Sequence, residues 1–382
     1  MAAPGSAPIS VTLDLPDGRG ENATNGLLLA MLRAAGPVSD LIFSPGRAPQ
    51  VGMHGKLIPV TAPGLSQLSA DQTRRIASDL IGTNKQAITM LREQGSCDIS
   101  YGLPGLARFR VNIFIQRGSC AVVMRVIPTT VPDFATLGLP AQLEEVANLR
   151  DGIVLVTGPR GSGKSSTLAA LLDCINARQA CHIITIEDPI EFLHSHKKAT
   201  VHQRELHSDT PSFAQALRAA LRQAPQVILV GEIRDRETTE MLLEAAETGH
   251  LVLSSLNTLD AAKTVERLLS MFAFGEQQSV RRRVAKTLRY VVSQRLLPRS
   301  EGGRVAVVEI LKAGARTHAY LEQADDPRQN LLQIMKDGHS EGMQHFDEEI
   351  EKLVRGGIVD VETALKHATD PQELRAVLQE CG

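Results

Sequence analysis

The sequence predicts an α/β protein with two domains, of which the second is built on a mainly parallel sheet. At 382 residues the chain exceeds the length that one hydrophobic core usually serves. Four short, continuously apolar segments also alternate with helical ones from residue 153 onward: IVLVTG, HIITIED, VILVGE and HLVLSSL. Such segments are typical of parallel strands that are buried on both faces of a sheet.

The chain before this region has a different pattern. A short apolar helix and two strand-like pieces precede a helical stretch over residues 69–93, and three β-rich segments with Gly-containing turns follow. This order predicts a small α+β domain whose antiparallel sheet is covered by helices on one face. We expect a flexible tail (1–22), an N-terminal domain (23–127), a proline-containing linker (128–140), a parallel-sheet core (141–275) and a C-terminal strand and helical region (276–382).

Composition and charge argue against several classes of function. The net charge is −2, aromatic residues make up 3% and Trp is absent, so neither a basic field nor stacking platforms favour nucleic acid. The five cysteines form no CxxC pair, and the spacing of His194, His196, His202 and His207 matches no zinc signature. We therefore expect surface histidines, no zinc, reduced thiols and a cytoplasmic protein.

The segment GPRGSGKS, residues 158–165, fits the phosphate-binding pattern GxxxxGK[ST] between a predicted strand and a predicted helix. Its glycines allow backbone N–H groups to surround a phosphate, Lys164 can reach the β- and γ-oxygens, and the Ser165 hydroxyl can ligate Mg²⁺. ATP and Mg²⁺ are the expected cofactors. The residues predicted to bind the nucleotide are Gly158, Pro159, Arg160, Gly161, Ser162, Gly163, Lys164, Ser165, Ser166 and Asp188.

Acidic residues follow two later strands of the predicted sheet. Glu187, Asp188 and Glu191 lie in ITIEDPIEF, and Glu232 ends VILVGE. Open parallel sheets bind ligands at the carboxyl ends of their strands, and Mg²⁺ prefers hard oxygen ligands. On adjacent strands downstream of a phosphate loop, these acids are expected to form the shell around metal and water.

The motifs GPRGSGKSSTL, HIITIEDPIEF, VILVGEIRD and AAETGHLVLSSLNT occur in an order that resembles the secretion ATPases of type IV pili and type II secretion. The resemblance is strongest to their retraction branch, the PilT and PilU twitching-motility motors, and extends over roughly residues 25 to 380. SDLIFSPGRAPQVGMHGKLIPV and GMQHFDEEI resemble that branch as well. The absence of a tetracysteine zinc module favours retraction over extension.

The resemblance implies a ring hexamer in which a PAS-like N-terminal domain and a RecA-like core close on ATP. The ring is expected to act on an inner-membrane platform protein, at the cytoplasmic side of the membrane, and to withdraw the pilus. By position, Glu187 is expected to be the catalytic base and Glu232 to act through Mg²⁺. Arg110 and Arg125 match arginines that point at the phosphates, and His250 matches the first histidine of a conserved box.

Asn257 stands where the family usually has the second histidine of that box. An amide can hold a hydrogen bond but cannot titrate, so coupling could weaken while binding survives. Three hypotheses stay open: an active retraction motor, PilU-like or PilT-like; a nucleotide-binding accessory ring subunit that works with an active retraction paralogue; and a RecA-like nucleic-acid translocase. LRQAP, GEIRD and GMQHFD favour the PilU-like subtype.

Overall fold

The structure is a computed structural model that describes residues 9–10, 22–34, 38–53, 56–61, 66–103, 106–128, 130–322 and 330–379. The chain divides into two compact units, Met1–Thr129 and Thr130–Gly382. Most of the predicted flexible tail, residues 1–22, lies outside the described residues. Ile9–Ser10 of that tail pairs in parallel with Val60 and Thr61.

The first unit contains a seven-stranded sheet in the order β1-β4-β3-β2-β7-β6-β5. All neighbours in it are antiparallel except β1 and β4, which confirms the antiparallel sheet predicted for this region. The strands are β1 (Ile9–Ser10), β2 (Asp40–Phe43), β3 (Gln50–Met53), β4 (Lys56–Thr61), β5 (Ser96–Leu103), β6 (Ala107–Gln116) and β7 (Ser119–Ile127).

Helices α1 (Asn22–Ala34), α2 (Ala70–Ile81) and α3 (Lys85–Gln94) share one hydrophobic core with this sheet. The helical stretch expected over residues 69–93 is therefore two helices. Gly82, with φ of 55°, ends α2, and the Asn84 side chain accepts a hydrogen bond from the N–H of Ala87 to begin α3.

The second unit contains a seven-stranded sheet in the order β10-β9-β11-β12-β8-β13-β14. In this order, every pair of neighbouring strands is parallel except the last, β13 and β14, which is antiparallel. The predicted α/β class with a mainly parallel sheet is therefore confirmed. The strands are β8 (Gly152–Thr157), β9 (His182–Glu187), β10 (Thr200–Glu205), β11 (Val227–Val230), β12 (Leu251–Leu256), β13 (Leu288–Pro298) and β14 (Arg304–Lys312).

Both faces of the central strands are buried, as their continuous apolar character predicts. On β8, Ile153 and Leu155 pack in one core with α6 to α9, and Val154 and Val156 pack in another with α5. The helices are α4 (Phe134–Leu137), α5 (Lys164–Arg178), α6 (Phe213–Ala220), α7 (Arg236–Glu247), α8 (Ala261–Ser270), α9 (Phe274–Thr287), α10 (Ala315–Glu322), α11 (Leu331–Asp337), α12 (Phe346–Arg355), α13 (Val361–His367) and α14 (Pro371–Gln379), with 3₁₀ helices at Ala141–Asn148 and His339–Glu341.

Among the helices that the structure describes, none has the length and apolar character needed to cross a membrane. The region after residue 275 has one strand more than expected, because β13 was not predicted. That strand carries Ser293 and Gln294, which are buried although they are polar. Their hydrogen bonds to Thr157 and Thr167 satisfy them, but they interrupt the apolar pattern by which a buried strand is recognised.

Arg283, the last of three consecutive arginines in α9, is held by acidic side chains of α7. Its guanidinium binds both carboxylate oxygens of Glu247, with Nε–Oε1 at 2.7 Å and Nη2–Oε2 at 2.9 Å, and also contacts Glu240. The side chain is 24% exposed. Arg283 therefore ties α9 to α7 on one face of the sheet.

We predict that Arg283→Met lowers the free energy of unfolding by about 2 kcal/mol, because it removes charge-assisted hydrogen bonds and leaves two carboxylates without them. The neighbouring Arg282→Met, at an exposed position, is the matched control and should change it by less than about 0.5 kcal/mol. Urea denaturation of both variants measures the difference. Equal stabilities would show that the contact does not contribute.

Candidate active site

The phosphate-binding loop, residues 158–163, connects β8 to α5 and has glycine where the backbone requires it. Gly158, Gly161 and Gly163 have φ of 147°, 79° and 90°. A Cβ on Gly158 would lie 2.3 Å from the backbone oxygen of Gln294, and one on Gly163 would lie 2.8 Å from the Gln294 side-chain nitrogen. The loop is therefore packed against β13 at a distance that only glycine permits.

Two side chains of the phosphate-binding motif, residues 158–165, are placed to contact an anion. Ser162 is 3% exposed, and within the described part of the chain its Oγ has no hydrogen-bond partner. Lys164 donates from Nζ to the backbone oxygens of Gly158, at 2.9 Å, and Pro159, at 3.0 Å. Burial lowers the pKa of Lys164. A phosphate would give both the hydroxyl and the ammonium stronger partners, so the loop fits the nucleotide expected from its sequence.

A chain of polar contacts joins the ends of β9, β11 and β12. Arg234 donates from Nη1 to Asp188 Oδ2 at 2.9 Å and from Nε to Glu232 Oε2 at 3.4 Å. Asn257 donates from Nδ2 to Glu232 Oε1 at 2.7 Å. Since β9 pairs with β11 and β11 with β12, the two acidic strand ends lie on adjacent strands, as predicted.

Glu187, the last residue of β9, has a different environment from Glu232. Its Oε1 accepts hydrogen bonds from Thr185 Oγ1 at 2.6 Å and from Gln203 Nε2 at 3.0 Å. Burial raises the pKa of Glu187 to about 7, although these two donors and the backbone N–H of Glu191 favour the charged form. A carboxylate with a pKa near neutrality can accept a proton at physiological pH, as a general base must.

A cleft of about 410 Å³ opens beside the phosphate-binding loop. Its wall combines basic and apolar groups, a composition that can accommodate the base and sugar of a nucleotide. The lining residues are Pro159, Arg160, Gly161, Ser162, Leu259, Arg295, Leu296, Arg304, Lys366, His367 and Ala368.

Arg110 and Arg125 lie in the first unit. They face each other across β6 and β7, so their side chains leave the same face of the sheet. Both are exposed, and Arg125 forms an ion pair with Asp40 at 3.1 Å. The two arginine side chains thus lie on one face of that sheet.

His250 lies at the edge of the second sheet that is opposite the phosphate-binding loop. It precedes β12, and its backbone oxygen accepts a hydrogen bond from the N–H of Gly152, the first residue of β8. Because β8 and β12 are parallel, the loop and Asn257 follow the other ends of these strands, about 20 Å away. Within one chain, the structure does not bring His250 together with the loop.

The prediction that four further histidines lie at the surface is wrong for one of them, His194. His196, His202 and His207 are exposed, as predicted, whereas His194 is half-buried and its ring Nδ1 has no hydrogen-bond partner in the described part of the chain. Burial lowers the pKa of His194 to about 4. Over the described ranges, no cluster of three or more His, Cys, Asp or Glu side chains is placed to hold a metal ion.

Several residues that shape the site were not singled out from the sequence. Gln294 and Thr167 support the phosphate-binding loop, Thr185 and Gln203 bind Glu187, and Arg234 links Asp188 to Glu232. Arg234 stands inside VILVGEIRD, one of the motifs that carried the family resemblance. Gln294 has no such signal, because it lies more than 100 residues from the loop in a strand that was not predicted.

A family model described as type II/IV secretion system protein matches residues 99–366. The type IV pilus retraction ATPase PilT of Pseudomonas aeruginosa is 41% identical over 334 residues, which are 87% of this chain and 95% of that protein. The chain belongs to the type IV pilus retraction ATPases of the type II/IV secretion family.

Two further similarities extend this result. The type IV pilus ATPase PilU of the same organism is 36% identical to the chain over 354 residues, which are 92% of this chain and 90% of that protein. A crystal structure of the pilus retraction motor PilT with bound ADP matches with a TM-score of 0.81 and 38% identity, covering 92% of this chain and 98% of that one. The resemblance stated from the motifs, and the ATPase class with it, is confirmed.

We predict that Gly158→Ala weakens ATP binding at least about tenfold, because its Cβ cannot fit beside the Gln294 carbonyl without moving the loop. Gly302→Ala is the matched control: Gly302 also has a positive φ, of 94°, but nothing lies within 4 Å of its Cβ position. Fluorescent-nucleotide titration should give wild-type affinity for Gly302→Ala. Undiminished binding in Gly158→Ala would contradict the packing described for the loop.

Proposed function

We propose that the protein is a hexameric motor that hydrolyses ATP to power retraction of a type IV pilus. The observation that carries this proposal is Glu187, a carboxyl held by two side-chain donors at the strand ends that also carry the phosphate-binding loop. Burial raises its pKa to about 7, which suits a general base. Membership of the retraction ATPases supplies the biological context.

The proposed roles follow from the contacts. Lys164 exchanges the carbonyls of Gly158 and Pro159 for phosphate oxygens when ATP binds. Ser165 and Glu232 would hold Mg²⁺, which would supply positive charge to neutralise the phosphates. Glu187 takes a proton from the attacking water. The oxygen of that water bonds to the γ-phosphorus as the bond between this phosphorus and the ADP oxygen breaks.

The remaining parts of the proposal rest on the family. Residues 23–127 would form a PAS-like domain, residues 128–140 the linker, residues 141–275 a RecA-like core and residues 276–382 the C-terminal region. Arg110 and Arg125 would neutralise charge that develops on the phosphoryl group, for which two exposed arginines on one face of a sheet are suited. The ring would act at the cytoplasmic face on an inner-membrane platform protein, alone or with a paralogous ATPase.

A second candidate function, an accessory subunit with weak or no hydrolysis, is favoured by one observation. Asn257 binds Glu232 with a group that cannot titrate. PilU and PilT of P. aeruginosa both match most of the chain, at 36% and 41% identity. An ATPase measurement is therefore needed to distinguish a PilU-like from a PilT-like subtype. The third hypothesis, a nucleic-acid translocase, requires that DNA stimulate ATPase activity.

We predict that the purified protein hydrolyses ATP with Mg²⁺ and that Glu187→Gln retains ATP binding but loses more than about 99% of kcat. Since the base must be deprotonated, wild-type kcat should rise as pH increases through about 7. Glu244→Gln, which removes an exposed carboxylate from α7, is the matched control and should keep wild-type turnover. Wild-type turnover no higher than that of Glu187→Gln would favour the accessory subunit.

We predict that Asn257→His changes kcat by less than about threefold, equivalent to about 0.6 kcal/mol in the barrier. The Asn257 amide already supplies the donor to Glu232 that an imidazole N–H would supply. Steady-state ATPase assays of the two proteins measure the ratio. A gain of tenfold or more would contradict the active-motor proposal for the wild type and identify Asn257 as the cause of slow turnover.

A further inference from the structure

Gln203 lies on β10, beside the strand that ends in the proposed base. It pairs in register with Thr185 of β9, two residues before the pair formed by Glu205 and Glu187. Side chains of residues two apart on one strand project from the same face of a sheet, and so do those of residues in register on neighbouring strands. The side chains of Gln203, Thr185 and Glu187 therefore meet on one face of the sheet.

The orientation of the Gln203 amide is determined by three hydrogen bonds. Its Oε1 accepts from the backbone N–H of His194 at 2.9 Å. Its Nε2 donates to the backbone oxygen of Phe192 at 2.9 Å and to Glu187 Oε1 at 3.0 Å. Rotating the amide by 180° would place its oxygen against two acceptors and its NH₂ group against a donor. The amide must therefore present an N–H to Glu187.

The loop after β9 has a second anchor that does not involve Gln203. Asn176, which is fully buried on α5, donates from Nδ2 to the Ser195 backbone oxygen at 2.8 Å and accepts at Oδ1 from the Lys197 N–H at 3.1 Å. The Gln203 contacts at Phe192 and His194 are thus not the loop's sole support. This separates the effect of Gln203 on Glu187 from an effect on the loop.

We propose that Gln203 is a positioning residue for ATP hydrolysis: together with Thr185, it holds the Glu187 carboxylate by Oε1 in one orientation and stabilises its charged form. The inference rests on the proposed function, in which Glu187 is the base. Gln203 contacts neither nucleotide nor water in this account and acts through Glu187 alone.

The charges around the site set the direction of the expected effect. Burial and the negative charge of Glu191 raise the pKa of Glu187, whereas the donors Thr185 and Gln203 lower it. Loss of one donor should therefore raise that pKa further and reduce the fraction of active base at neutral pH. Charged groups at this edge of the sheet include Arg160, Lys164, Asp188, Glu191, Glu205, Glu232 and Arg234.

The test is the pH dependence of kcat in Gln203→Leu, which keeps the bulk of the side chain and removes the amide. The midpoint of the rising limb should move up by about one pH unit, and kcat at pH 7 should fall about fivefold. KM for ATP should stay within about twofold, because the nucleotide contacts are unchanged. Thr185→Val, a second and isosteric variant, should shift the midpoint in the same direction.

Gln344→Leu is the matched control, since Gln344 is a buried glutamine that also donates to a backbone oxygen, that of Val308, at 2.7 Å. Its midpoint should equal that of the wild type. An unchanged midpoint in both Gln203→Leu and Thr185→Val would overturn the inference, as would an equal shift in Gln344→Leu.

A measurement without turnover separates this inference from the proposed function. The infrared band of the protonated Glu187 carboxyl, assigned by its loss in Glu187→Gln, can be titrated in the wild type and in Gln203→Leu. A shift of about one unit to higher pH in Gln203→Leu supports the inference even if the wild type proves not to hydrolyse ATP. Identical titrations overturn it even if the protein is an active motor.

Discussion

The parallel direction of strands β8 to β13 is the constraint on which the site depends. Because β9, β11, β12, β8 and β13 all run the same way, their carboxyl ends meet at one edge of the second sheet. That edge collects the phosphate-binding loop, the two acidic strand ends and Asn257 from segments that are far apart in sequence. Helices on both faces bury the strands and hold this edge in place.

The same edge gives two carboxylates different chemistry. Burial raises the pKa of Glu187 to about 7, although the neutral donors Thr185 and Gln203 partly offset that rise. Glu232 instead contacts the guanidinium of Arg234 and the amide of Asn257. One carboxyl can therefore take a proton near neutrality while the other is held beside a cation. Separate environments of this kind suit the proposed roles of Glu187 as base and Glu232 as metal ligand.

Features that depend on neighbouring residues were predictable from the sequence. The glycines of the phosphate-binding loop, the apolar strands and the acidic residues that follow them are local patterns, and the sheet places them as expected. Gln294 could not be found in this way, because its contact with Gly158 joins segments more than 100 residues apart, and its own polarity concealed β13.

His250 shows how little sequence distance says about position within a sheet. It is seven residues from Asn257 and belongs to the same motif. A strand of six residues, β12, lies between them and carries them to opposite edges of the sheet. Because an extended strand rises about 3.3 Å per residue, two residues of one motif can lie at opposite ends of the same strand.

The most direct test of the account is a single-turnover experiment with the protein in excess over radiolabelled ATP and with Mg²⁺ present. The account predicts that bound ATP is converted to ADP and phosphate in the wild type, and that ATP stays bound and intact when Glu187 is replaced by Gln. Recovery of bound, unhydrolysed ATP from the wild type would contradict it, because the loop would then bind nucleotide at an edge of the sheet where no residue acts as the base.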